Sequence, residues 1–245
     1  MAEPNGADPV WQTDEQRRLH ALLMGCAEAF AAGCRAEPDR KYRHSDPVRR
    51  PALLYGVGLG EDESRAFLRT MQAGLVEVGP DGRFFVTGAR ACSPNLHLVG
   101  RNGDHVKLHT EVLIHVGAYA ELVLDHGWAP ERLIFDPFFS GAALDLWGYD
   151  GPPGARDPQA GDVVFAAEAK ARQDGGDGLT ALLRSLQSLA VDPTHLPLHK
   201  GHLPKWRELV RLTAHHPIEL LLVANGARWW FTVQAADGTV ELIPR

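Results

Sequence analysis

The sequence is poor in cysteine and has no long apolar run, and both absences exclude classes of protein. Its three cysteines, Cys26, Cys34 and Cys92, are too few and too scattered for a disulfide framework. There is no Cys-x-x-Cys pair, which argues against a structural zinc site. No stretch of about 18 apolar residues could cross a membrane. The N-terminus lacks an apolar h-region, so we predict no signal peptide, no membrane association and a cytoplasmic protein.

The formal net charge of −6 gives no hint of a nucleic-acid partner, but the basic residues are unevenly spread. Local patches, rather than the total charge, set the field that a phosphate backbone meets. One basic stretch contains Arg35, Arg40, Lys41, Arg43, Arg49 and Arg50, and another contains Lys200, His202, Lys205, Arg207 and Arg211. Each stretch is consistent with a contact to nucleic acid and equally with solvated loops or a helix surface.

The first hundred residues predict a small N-terminal unit. Residues 1–13 are predicted to be a disordered lead, and residues 37–51 a charged, proline-punctuated linker. Apolar residues at helical spacing predict helices over 14–34 and 61–74, and an Asp81-Gly82 turn predicts a hairpin over 75–87. The helix followed by this hairpin resembles the end of a winged-helix unit, which would make 14–100 a DNA-binding α+β domain. A small α+β cap that packs on the rest of the chain explains the same pattern.

The sequence of residues 101–245 predicts that they form a second domain with a mixed sheet. A helix over 107–126 is followed by strands over 133–135, 141–149 and 162–171, with a loose loop over 151–161 between the last two. A helix over 179–190 and an apolar strand over 218–223 come next, and strands over 228–233 and 239–243 form a final hairpin. A strand, a helix and another apolar strand in this order favour a crossover and a parallel pair. The fold class is therefore α/β.

Two acids and a lysine stand within the apolar strands of this second half. Asp145 is predicted to lie inside the second strand, and Glu168 and Lys170 near the end of the third. Glu168 and Lys170 share a face because side chains alternate along a strand, and a hairpin would bring Asp145 close to them. Buried carboxylates are costly unless they are paired or metal-bound, and convergent carboxylates suit Mg²⁺ or Mn²⁺. The alternative is a solvent-facing Glu168–Lys170 pair with Asp145 as a structural acid.

These residues and the order of elements resemble the restriction-endonuclease-like, PD-(D/E)XK, nuclease superfamily. Its core is a helix, three strands, a helix and a strand, an order that residues 107–224 follow. The resemblance implies that Asp145 and Glu168 bind the metal, with the main-chain carbonyl of Ala169, and that Lys170 is catalytic. It also implies a helix acid, for which Glu111 is favoured over Glu121, and a glutamine on the later helix, which here is Gln187. The chain departs from the family pattern in having Leu144 before Asp145 and Val191 where one branch has tyrosine.

The expected function is a divalent-metal-dependent DNA endonuclease of a restriction or host-defence type, with RNA left open as a substrate. Cleavage of both strands would suggest a homodimer, by the symmetry of duplex DNA. Two other functions fit parts of the pattern. A nuclease fold that binds nucleic acid or protein without cutting would retain the architecture, and a winged-helix transcription regulator would use residues 62–87.

Overall fold

The computed structural model describes residues 13–36, 59–91, 96–102, 105–135, 137, 142–151 and 159–245. The helices are α1 (Asp14–Ala36), α2 (Glu61–Gln72), α3 (Thr110–Leu124), α4 (Leu179–Val191) and α5 (His202–Thr213). The strands are β1 (Val76–Val78), β2 (Phe84–Val86), β3 (Arg90–Ala91), β4 (Val99–Asn102), β5 (His105–Leu108), β6 (Leu133–Phe135), β7 (Leu146–Tyr149), β8 (Val163–Lys170), β9 (Ile218–Ala224), β10 (Ala227–Ala236) and β11 (Thr239–Pro244). The linker predicted at 37–51, most of the lead predicted at 1–13 and most of the loop predicted at 151–161 lie outside the described residues.

A mixed seven-stranded sheet forms the centre of the molecule, in the order β11-β10-β9-β8-β7-β6-β3. The predicted hairpin of β7 and β8 is antiparallel, and the predicted parallel pair forms between β8 and β9. The predicted final hairpin, β10 and β11, extends the sheet by antiparallel pairing with β9. The α/β class with a mixed sheet is therefore confirmed.

Helices cover both faces of this sheet, which explains why its inner strands read as nearly continuous apolar runs. On one face, α3 packs with Phe165, Ala167 and Leu221 in one buried cluster. On the other face, α4 and α5 pack with Ala166 and Leu220 in a second cluster. Alternate residues of β8 and β9 thus enter opposite cores, as strand geometry requires. Among the described residues, no helix combines the length and the apolar character needed to cross a membrane.

The N-terminal elements α1, α2 and the predicted hairpin of β1 and β2 pack directly on the face that carries α3. Leu19 of α1, Phe67 of α2 and Phe84 of β2 belong to the same buried cluster as the residues of α3. Gly82, with φ of 80°, supplies the left-handed position of the predicted Asp-Gly turn between β1 and β2. The hairpin prediction is confirmed.

Two predicted boundaries are wrong, and one helix was not predicted. Lys107 was expected to open a helix, but it lies in β5 and pairs with Gly100 of β4, so α3 begins at Thr110. Helix α5 lies between α4 and β9, where no separate element was expected, because Trp206, Leu209 and Leu212 bury one helical face. The strand β7 begins only at Leu146, so Asp145 precedes it rather than lying inside it.

Candidate metal centre

The structure brings Glu111, Asp145 and Glu168 together, from three separate elements. Glu111 stands in the first turn of α3, Asp145 directly before β7 and Glu168 near the end of β8. Pairing of Leu146 with Ala167 sets the register, and the Asp145 N–H donates to the Ala167 carbonyl at 3.0 Å. The antiparallel hairpin therefore places Asp145 next to Glu168, as the sequence predicted.

Each of these three acids offers a carboxylate oxygen, and the three oxygens lie within 4.8 Å of one another. The Glu168 side chain is fully buried, Asp145 is partly buried, and the Glu111 side chain is 46% exposed. One Asp145 oxygen, Oδ2, accepts the Ala169 N–H at 2.7 Å, which fixes the orientation of the carboxylate. This cluster of acids could hold a metal ion, and Glu111 leaves it open to solvent on one side.

Lys170 joins two of the acids. Its Nζ lies 2.8 Å from Glu111 Oε1 and 2.5 Å from Glu168 Oε1, and it donates to the Ala169 carbonyl at 3.2 Å. Burial lowers the pKa of Lys170, but the surrounding carboxylates outweigh burial and hold the pKa above its ordinary value. Lys170 therefore remains a cation and a hydrogen-bond donor at neutral pH. The Ala169 carbonyl, an expected metal ligand, lies beside the same ammonium.

A second lysine, Lys205 of α5, contacts the same buried carboxylate, although its sequence pattern indicated only a basic stretch. Its Nζ donates to Glu168 Oε2 at 2.7 Å and to the Ala143 carbonyl at 2.6 Å, and its side chain is only 14% exposed. The helical spacing of His202, Trp206 and Leu209 was the available signal, because it puts Lys205 at the margin of a buried face.

Burial disfavours the charged forms of the two inner acids of the cluster, Glu168 and Asp145. The pKa of Glu168 is raised to about 7, by burial first and then by Asp145, although Lys205 and Lys170 lower it. Burial likewise raises the pKa of Asp145, against Lys205 and Lys170. Oε1 of Glu168 is buried without a hydrogen bond of good geometry, although Lys170 lies close to it. Three carboxylates face two ammonium groups, so a divalent cation fits the charge and the all-oxygen donor set.

The two remaining candidate residues, Glu121 and Gln187, lie outside the acid cluster. Glu121, the competitor for the helix acid, accepts the Arg228 Nε–H at 2.7 Å and is absent from the acid cluster, which leaves Glu111 in that position. Gln187 lies on the exposed side of α4, where Leu186 and Leu189 point inward, and its role stays a prediction.

Comparisons with protein-family models, with curated proteins and with solved structures find no match.

Proposed function

We propose that this protein is a divalent-metal-dependent nuclease that hydrolyses phosphodiester bonds in DNA, on a restriction-endonuclease-like core. The observation that supports the proposal is the meeting of Glu111, Asp145, Glu168 and Lys170 at the ends of two neighbouring strands and a helix. The order of elements around them, α3, β6, β7, β8, α4 and β9 with α5 inserted before β9, also supports the proposal.

Glu111, Asp145 and Glu168 would hold the metal, and the Ala169 carbonyl lies close enough to Lys170 to belong to the same site. All of these donors are oxygens, which favours Mg²⁺ or Mn²⁺ over softer metals. A divalent ion bound there would polarise a phosphoryl oxygen and lower the pKa of a water molecule.

Lys170 acts in this proposal as a fixed positive charge rather than as a base. It already acts as a hydrogen-bond donor to Glu111 and to the Ala169 carbonyl. Its ammonium group can instead donate hydrogen bonds to the attacking water or to a phosphate oxygen. Donors held in place before reaction stabilise the negative charge that develops on the phosphate.

A polymeric substrate is favoured by an exposed cation that follows the site along the chain. Arg172 is exposed two residues beyond Lys170, just after β8 ends. A cation in that position can contact a neighbouring phosphate of the same backbone, and such contacts position a nucleic acid without reading its sequence. Cleavage of both strands of a duplex would need a second active site, which a homodimer would provide.

The test is cleavage of plasmid DNA with Mg²⁺ or Mn²⁺ by wild type, Asp145→Asn and Lys170→Ala. We expect each variant to lose about 100-fold or more in rate, because each removes a group that acts on the charge of the transition state. The matched control is Asp150→Asn, which changes an exposed acid at the other end of β7 and should leave the rate unchanged.

Equal cleavage by all four proteins would refute the assignment. Binding of DNA by the wild type with no cleavage in either metal would favour the non-enzymatic binding module instead.

A further inference from the structure

The Glu168 carboxylate is held between two ammonium groups, one on each oxygen. Lys170 lies 2.5 Å from Oε1, and Lys205 donates to Oε2 at 2.7 Å. The two lysines come from different elements, β8 and α5, so the arrangement depends on the packing of α5 over the end of the sheet. Lys205 lies outside the residues that the family resemblance implies.

Lys205 is also fixed in place. Besides Glu168 it donates to the Ala143 carbonyl at 2.6 Å, and its side chain is 14% exposed. A lysine that is held by two acceptors and largely shielded from water has little freedom to withdraw from the site. Its ammonium therefore occupies the space beside Glu168 Oε2, and a metal ion could approach that oxygen only by displacing it.

The charges of the site agree with a single divalent ion. Acids that bind a metal are ionised, so Glu111, Asp145 and Glu168 then contribute three negative charges, and Lys170 and Lys205 contribute two positive ones. One divalent ion brings the centre to a net charge of +1, which matches the single negative charge of one phosphodiester. Two divalent ions would bring it to +3, and the ions would repel both ammonium groups at close range.

We propose that Lys205 takes the place of a second metal ion, so that the centre binds one divalent ion per chain. Two-metal sites set their ions about 3.5–4 Å apart. Here the ammonium of Lys205 holds one oxygen of Glu168 and supplies a positive charge beside the acid cluster. This inference rests on the proposed function for its substrate, but the ion count can be measured without any substrate.

The experiment counts Mn²⁺ ions bound to the full chain, by calorimetric titration and by electron paramagnetic resonance of free Mn²⁺. Wild type should bind one ion. Lys205→Gln keeps an N–H donor for the Ala143 carbonyl but removes the positive charge, so it should bind two ions, the first about tenfold more tightly than in wild type. Lys205→Arg keeps the charge and should bind one. The matched control is Lys200→Gln, at an exposed lysine of the same segment, and it should also bind one.

Two ions on the wild-type chain would overturn the inference whatever the variants do. A single ion on a Lys205→Gln protein with an unchanged urea unfolding midpoint would overturn it as well. A wild-type chain that binds one ion but cuts no DNA would refute the proposed nuclease function, while the ion count would still support the role of Lys205.

Discussion

Glu208 connects the packing of α5 to the position of Asp145, and its replacement by glutamine gives a test with a defined sign. The side chain is 2% exposed. Its Oε2 accepts the backbone N–H groups of Ala143 and Leu144, and its Oε1 accepts the Trp147 indole N–H at 2.6 Å. These bonds explain why β7 starts late, because the two N–H groups before Asp145 bind a carboxylate instead of a neighbouring strand. Glu208 thereby holds the segment that carries a metal ligand.

Glu208→Gln has two effects of opposite sign on the free energy of unfolding. An amide has one acceptor oxygen, so at least one N–H of the three meets an NH₂ group, which costs about 1–3 kcal/mol. The other effect concerns charge. Burial raises the pKa of Glu208 to about 7 from an ordinary value of 4.5, although the three N–H donors and Arg211 lower it.

The native state therefore binds this proton more tightly than the unfolded chain does, and the wild type loses stability as the pH rises from the unfolded pKa to the folded pKa. The loss from Glu208 is about 3 kcal/mol over that window, at about 1.4 kcal/mol per unit of pKa. Glutamine does not titrate. We therefore expect the variant to be less stable than wild type near pH 5, and the difference to shrink by about 3 kcal/mol by about pH 8.

Urea unfolding of both proteins at a series of pH values measures this difference. The titrating groups that the two proteins share contribute equally to both free energies of unfolding, so their contributions cancel. The control is Glu241→Gln, at an exposed position of β11. Its free energy of unfolding should differ from that of wild type by the same amount at every pH. A Glu208→Gln curve that is also parallel to wild type would refute the reasoning. So would a difference that widens as the pH rises.

Three further predictions follow from the same structure. Arg228→Met should lower the free energy of unfolding by about 3–5 kcal/mol, because Glu63, whose side chain is 1% exposed, would keep a buried charge without its cation. An unchanged midpoint of urea unfolding would contradict this. Mg²⁺ at about 100 times its Kd should stabilise the fold by about 2.7 kcal/mol, measured as a rise in Tm, and Asp145→Asn should abolish the rise. Gly148→Ala should cost about 1–3 kcal/mol, because the new Cβ would lie 2.7 Å from a Trp128 ring atom; equal thermal stability would show that the ring can move.

The central strands were predictable because their apolar runs are long and buried on both faces. The segments 133–135, 162–171 and 218–223 match β6, β8 and β9 closely. The pair of β4 and β5 was missed since it is short and rich in polar residues, although Val99, Val106 and Leu108 are buried. Such strands are specified by the partner they pair with and by the surface they cover, rather than by composition.

Some residues of the candidate site could likewise be predicted from the geometry of a hairpin, whereas others come together only through tertiary packing. Asp145, Glu168 and Lys170 could be brought together from the sequence, since strand alternation and antiparallel pairing are local rules. Helical spacing puts Lys205 at the margin of a buried face but does not name its partner, because it meets Glu168 only when α5 packs over the end of β8, across a separation of 37 residues. In the sequence Lys205 and Lys200 are two similar members of one basic stretch, yet one is buried against a carboxylate and the other is exposed. Their chemical difference is therefore a consequence of packing, and variants at both positions measure it directly.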